Sequence, residues 1–192
     1  MSTRVGVFII ESRKIEEEKT GKKQGLILTE MLTLLGVISE YRYIRTKKEL
    51  IEMVNQYYAS KFRYLHLSMH GVSSQGKPLN KFSLSLEKIT YDEFCNIIIK
   101  NGHDKKEKRR LFISACHVAA DITIPFREKL NSFISIVAPS INIKTKIAPL
   151  AWATFYNKMF SVEKNSMATN IKRKSTKYMC FLCCEVQRIF QE

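Results

Sequence analysis

Apolar residues along this chain fall in blocks that switch between the two-residue period of strands and the longer period of helices. Val5-Gly6-Val7-Phe8-Ile9-Ile10 is a continuous apolar run rich in β-branched residues. It predicts a strand buried on both faces, as in a parallel sheet covered by helices. A polar connection from Glu11 to Gln24 follows, then Leu26, Leu28, Met31, Leu32, Leu34 and Leu35, spaced for a helix. Tyr41-Arg42-Tyr43-Ile44 reads as a short strand. Thr46 with Glu49 three residues on forms a capping box for a helix carrying Leu50, Ile51, Met53, Val54 and Tyr57.

The third strand is Tyr64 to Met69, ending at His70-Gly71. A loop with Gly76 and Pro78 leads to Phe82-Ser83-Leu84-Ser85-Leu86, which alternates like a half-exposed strand or hairpin. Thr90 and Glu93 open another helix, with Phe94, Ile97 and Ile98 on one face. After the charged stretch His103 to Arg110 comes Leu111 to Cys116, again a buried strand. A helix over Val118 to Leu130, a strand over Phe133 to Ala138 and a helix over Ile147 to Phe160 follow. Met167 to Lys174 reads as helical, and Tyr178 to Cys184 as a last strand. Alternating strands and helices predict an α/β fold, a three-layer sandwich with a mostly parallel central sheet, in a single domain over residues 1–192.

Charge changes this picture little. The 32 Lys and Arg against 18 Asp and Glu give +14, which attracts polyanions but does not determine a fold. The basic residues come in short separate runs (Lys22-Lys23, Lys105 to Arg110, Lys172 to Lys174) that suit solvated loops and helix ends better than a nucleic-acid arm. Nucleic-acid binding is therefore the less favoured partner. The apolar N-terminal run is too short for a signal peptide and ends in Glu11. No window approaches the roughly 18 apolar residues of a membrane span. The expected setting is the cytoplasm, without membrane attachment, and the five cysteines, an odd number, fit reduced thiols.

Chemistry enters at the strand ends, because open parallel sheets bind ligands at the carboxyl ends of their strands. His70 closes one strand and Cys116 another, and the short connection between them makes these strands neighbours. A Cys–His pair there suits nucleophilic catalysis, the thiolate attacking a carbonyl carbon and the imidazole handling the proton. Gly71 lacks a Cβ, so its N–H, with that of Cys116, suits an oxyanion hole. The plainer alternative is that Cys116 is core and His70 bonds a backbone carbonyl, since cysteine is among the most buried residue types.

Other residues carry less. His66 shares a strand face with His70 and suits a buried, hydrogen-bonded role. His117 faces the helix start or solvent, His103 is a surface residue, and Asp121 suits a helix N-terminus, with substrate recognition as its second reading. Cys180, Cys183 and Cys184 read as core packing in preference to metal or lipid attachment; no metal and no cofactor are implied.

The blocks "YLHLSMHGVSSQG" and "LFISACHVAAD" resemble the His-Gly and Ser-Ala-Cys blocks of CHAT domains, relatives of caspases and separase. "FSLSLEKITYDEF", "FISIVAPS" and "FYNKMFSVEKNSMATNIKRKS" are similar to the elements that these domains place afterwards, so the resemblance covers roughly residues 60 to 184. It implies a caspase-like fold, with His70 as acid/base, Cys116 as nucleophile, and the Gly71 and Cys116 amides as oxyanion hole. It also implies cleavage of a protein or peptide substrate under a sensor's control, in bacteria within defence or cell-death pathways.

One stretch departs from the family pattern. Where Trp-Pro and acidic residues are usual, this chain has Ile141 to Lys146, with Lys144 and Lys146 in place of acids. The expected pocket, with Ser114 as a further wall, then takes an acidic or uncharged side chain. With no fused sensor module, control is expected from a separate regulatory protein, from the polar loops, or not at all. A catalytically silent caspase-like module that binds a partner through the same crevice is the competing reading.

Overall fold

The computed structural model describes residues 4–21, 23–72, 81–100, 109–115, 133, 135–139 and 147–168. In chain order the first half contains β1 (Arg4–Glu11), the single turn α1 (Ile15–Glu18), α2 (Gln24–Leu34), β2 (Ser39–Tyr43), α3 (Lys47–Ala59) and β3 (Phe62–Ser68). Three short strands follow, β4 (His70–Val72), β5 (Lys81–Ser83) and β6 (Lys88–Thr90). Then come α4 (Tyr91–Lys100), β7 (Arg110–Ser114), β8 (Ser135–Val137) and α5 (Ala148–Ala168). The expected segments Val118 to Leu130 and Tyr178 to Cys184, and the part of Met167 to Lys174 after Ala168, lie outside the described residues.

The apolar run at the N-terminus becomes an interior strand because both of its edges and both of its faces are occupied. The sheet order is β2-β1-β3-β7-β8, and every neighbouring pair in it is parallel. Phe8 and Ile10 of β1 join one core with Leu65, Leu67 and Met69, packed by α3 and α4. Val7 and Ile9 join the other, with Tyr64, Phe112, Trp152 and Tyr156, packed by α2 and α5. The protein is thus an α/β three-layer sandwich around a parallel sheet.

Local sequence signals fix several helix ends. The Thr46 side chain accepts from the Glu49 N–H at 3.2 Å, and the Glu49 carboxylate accepts from the Thr46 N–H at 2.9 Å, a complete capping box. Thr90 and Glu93 repeat the arrangement at α4. Pro149 sits in the first turn of α5, where its missing N–H costs nothing. Gly36 takes a positive φ of 69° just past α2, the left-handed turn that ends a helix most easily without a side chain. The leucine-rich face predicted for α2 is only partly used: Leu28 and Leu32 are buried, whereas Leu34 is 88% exposed.

β3 and β7 are neighbours, as the short connection between them implies. That connection holds a second sheet, β4-β5-β6, antiparallel throughout. This revises the placement of His70. β3 ends at Ser68, and His70 opens β4, where it pairs with Ser83. The chain leaves the parallel sheet just past the Glu11–Ser68 and Ser68–Ser114 pairs, the last that β1 and β7 offer it, and takes up pairing with β5 instead.

Candidate active site at the carboxyl end of the sheet

Four residues at the sheet's carboxyl end are polar and buried although strands of this kind are otherwise apolar. Glu11, Ser12, Ser68 and Ser114 are each at most 6% exposed. Ser12 and Glu11 have partners that explain their burial. Ser12 donates to the Ile44 carbonyl at 2.8 Å and accepts from the Ser85 N–H at 3.0 Å. Glu11 accepts from the Gln24 N–H at 2.7 Å, the Gly25 N–H at 3.0 Å and the Tyr41 hydroxyl at 2.9 Å. A carboxylate at a helix N-terminus is favoured by the orphan amides there. Burial nonetheless pushes the Glu11 pKa above the usual carboxylate range, against those hydrogen bonds and Arg13. Gly25 is required by this contact, because a Cβ there would meet the Tyr41 ring at 2.9 Å and the Glu11 carboxylate at 3.1 Å.

The site residues named from the sequence divide into two groups. His70, Gly71 and Ser114 are described; Cys116, Lys144 and Lys146 lie outside the described residues, as do His103, His117, Asp121, Cys180, Cys183 and Cys184. Ser68 pairs directly with Ser114, and the Met69 N–H donates to the Ser114 carbonyl at 3.2 Å. His70 follows at once, half-buried, with Gly71 opposite Phe82 in the antiparallel sheet. Ser114 is buried at the end of β7, and Ala115 is the last residue described there.

His70 belongs to a charged cluster that the sequence reading missed. Its Nε2 lies 2.7 Å from Glu17 Oε2. The same oxygen receives the Arg13 guanidinium at 2.8 Å, and Arg13 is itself only 3% exposed. Burial holds the His70 pKa below its ordinary value, with Arg13 and Lys14 adding to the effect and Glu17 opposing it. The imidazole is therefore biased toward its neutral form, the form a proton acceptor needs. The signal that was available is the position of Arg13 and Glu17 in the connection just after β1, at the sheet edge where ligands bind.

A tight cleft, too narrow to admit a water molecule, lies on the α2/α5 side of this edge. Gln24, His66, Ser68, Ser114 and Trp152 line it, so its polar groups are hydroxyls, an amide, an indole and a neutral imidazole. Trp152 Nε1 is buried and has no hydrogen-bond partner among the described residues.

His66 forms the floor of the cleft and has a different character from His70. It is buried and hydrogen-bonded, as its strand position suggested: Nδ1 lies 2.9 Å from the Tyr156 hydroxyl, and its ring meets Trp152 edge-on at 4.9 Å. Burial pushes its pKa down to about 3, so it stays neutral.

Among the described residues, no group of three or more His, Cys, Asp or Glu is arranged to hold a metal, and no helix is long and apolar enough to cross a membrane. No protein-family model matches the chain, and no curated protein matches it.

Proposed function

We propose that this chain is a cysteine endopeptidase of the caspase-like, CHAT-domain type, with Cys116 as nucleophile and His70 as acid/base. The observation that carries the reading is the register of β3 and β7. Ser68 and Ser114 are paired on adjacent parallel strands, and the two reactive residues each follow two positions later in sequence. The depressed pKa of His70 supports the same role.

In this mechanism the Cys116 thiol gives its proton to His70, and the thiolate sulfur attacks the substrate carbonyl carbon. The Gly71 and Cys116 N–H groups donate to the oxyanion, a contribution of about 3 kcal/mol for each well-placed donor. His70 then protonates the leaving amine, the C–N bond breaks, and a thioester remains. Water hydrolyses the thioester with His70 as base and restores the thiol.

The substrate is a protein or peptide. The side chain beside the cleaved bond is an acidic or uncharged one, with Ser114 as a wall of its pocket. Lys144 and Lys146 are the residues that would admit an acidic one. The cytoplasm, with its reduced thiols, is the compartment that suits this nucleophile, and regulated bacterial defence or cell death under a separate sensor protein is the setting. Proteome-wide identification of cleaved peptides tests the reading: Cys116→Ala and His70→Ala should each abolish the cleavages made by the unaltered chain. Full activity in Cys116→Ala would end it.

A further inference from the structure

The Glu17 carboxylate is held by Arg13 on one side and meets His70 on the other. Arg13 binds its Oε2 at 2.8 Å, one turn away and on a buried stem. The Arg13 backbone N–H is fixed to the Tyr43 hydroxyl at 3.3 Å. The neighbouring Glu18 pins the other side of the same turn, accepting from the Tyr43 hydroxyl at 2.6 Å and pairing with Arg45 at 3.0 Å. Of the three consecutive glutamates, Glu18 therefore ties α1 to β2 and the residues after it, which frees Glu17 to face His70. A one-turn helix would not hold a carboxylate in place by itself. These side-chain contacts do.

We propose that Glu17 is a positioning residue for His70, fixing the imidazole with Nε2–H on the carboxylate and leaving the Nδ1 lone pair as the base. The inference rests on the acid/base role proposed for His70. Its chemical basis is that a carboxylate only accepts hydrogen bonds, so the ring nitrogen 2.7 Å from Glu17 must be the protonated one. In a neutral imidazole the other nitrogen is then bare. On proton transfer the Cys116 thiol proton moves to Nδ1 and the imidazolium charge lies beside Glu17. The Nδ1 proton later passes to the leaving amine, while Nε2–H stays with the carboxylate throughout. The charged groups facing His70 among the described residues are Glu17, Arg13 and Lys14. Arg13 and Lys14 oppose the imidazolium and Glu17 favours it, so Glu17 alone supplies the compensating charge.

The test uses the full chain with two readouts. Nitrogen-15 NMR of the imidazoles should show His70 as the Nε2–H tautomer. Glu17→Gln should lower its titration midpoint by about one pH unit, because a neighbouring opposite charge is removed. Glu17→Asp keeps that charge and should recover part of the shift, which a purely structural role for Glu17 would not predict. Alkylation of Cys116 by iodoacetamide, followed by mass spectrometry, should slow by about tenfold at pH 7 in Glu17→Gln. An unchanged His70 tautomer and midpoint in Glu17→Gln would overturn the inference. If His70→Ala slows alkylation and Glu17→Gln does not, Glu17 has no positioning role although the dyad stands. If His70→Ala leaves alkylation unchanged, the dyad reading itself fails.

Discussion

The two faces of β3 are built from one strand yet obey different chemistry. Leu65, Leu67 and Met69 point into a mainly aliphatic and aromatic core against α3 and α4. Tyr64, His66 and Ser68 point the other way, toward α2 and α5, where His66 meets the Tyr156 hydroxyl and Ser68 donates to Gln24. The apolar face tolerates any well-packed hydrocarbon, whereas the polar face works only with particular atoms in particular places. Candidate chemistry gathers at the edge of the second face, near Ser68 and Ser114.

Truncation on the apolar face should give the largest loss of stability. Leu67→Ala leaves a cavity at a fully buried site and should cost about 2–5 kcal/mol, read from urea unfolding. On the polar face, Tyr156→Phe removes almost no volume but strips the Nδ1 partner from His66, and should cost about 1–3 kcal/mol. Equal costs for that change and for Tyr58→Phe, whose hydroxyl donates to the Ile98 carbonyl at 3.0 Å beside the apolar core, would erase the distinction.

The same histidine gives the polar face a pH signature. Its pKa is about 3 in the fold against about 6.5 in an unfolded chain. Because the folded value is the lower one, the neutral ring's contribution is complete above about pH 6.5 and is lost as pH falls toward 3. His66→Gln, which cannot take up that proton, should flatten the acid limb of stability measured over this range.

Smaller effects lie away from both faces. Thr46→Ala breaks the capping box of α3 and should cost about 1 kcal/mol, visible as a lowered thermal midpoint. Leu34→Lys, at an 88% exposed position, should change stability by no more than about 0.5 kcal/mol. A large loss there would show that α2's outer surface is packed against something in solution.

What could be read from the sequence follows the range of each interaction. Capping boxes at Thr46 and Thr90 involve residues three apart, so the sequence displays them directly. β1 was legible because burial on two faces leaves an unbroken apolar run. The adjacency of β3 and β7 followed from the length of chain between them. The contacts that define the site are different in kind. Glu17 meets His70 across 53 residues, and His66 meets Tyr156 across 90. No periodicity encodes such pairs, and a run of three glutamates in a polar connection resembles any solvated loop. The passage of His70 onto β4 was hidden for a related reason: strand propensity does not say which sheet a residue joins.

The strand order also bears on synthesis. β1 pairs with β2 on one side and β3 on the other, so the central part of the sheet is encoded by the first 68 residues. A nascent chain emerging amino end first can join these three strands early, with α2 and α3 to cover them. β7 begins only at Arg110, and until it is made the edge of β3 waits for its neighbour. On the proposed reading, His70 is present through much of translation before Cys116 is made. On that reading, ribosome-bound chains ending before Cys116 would be unable to cut.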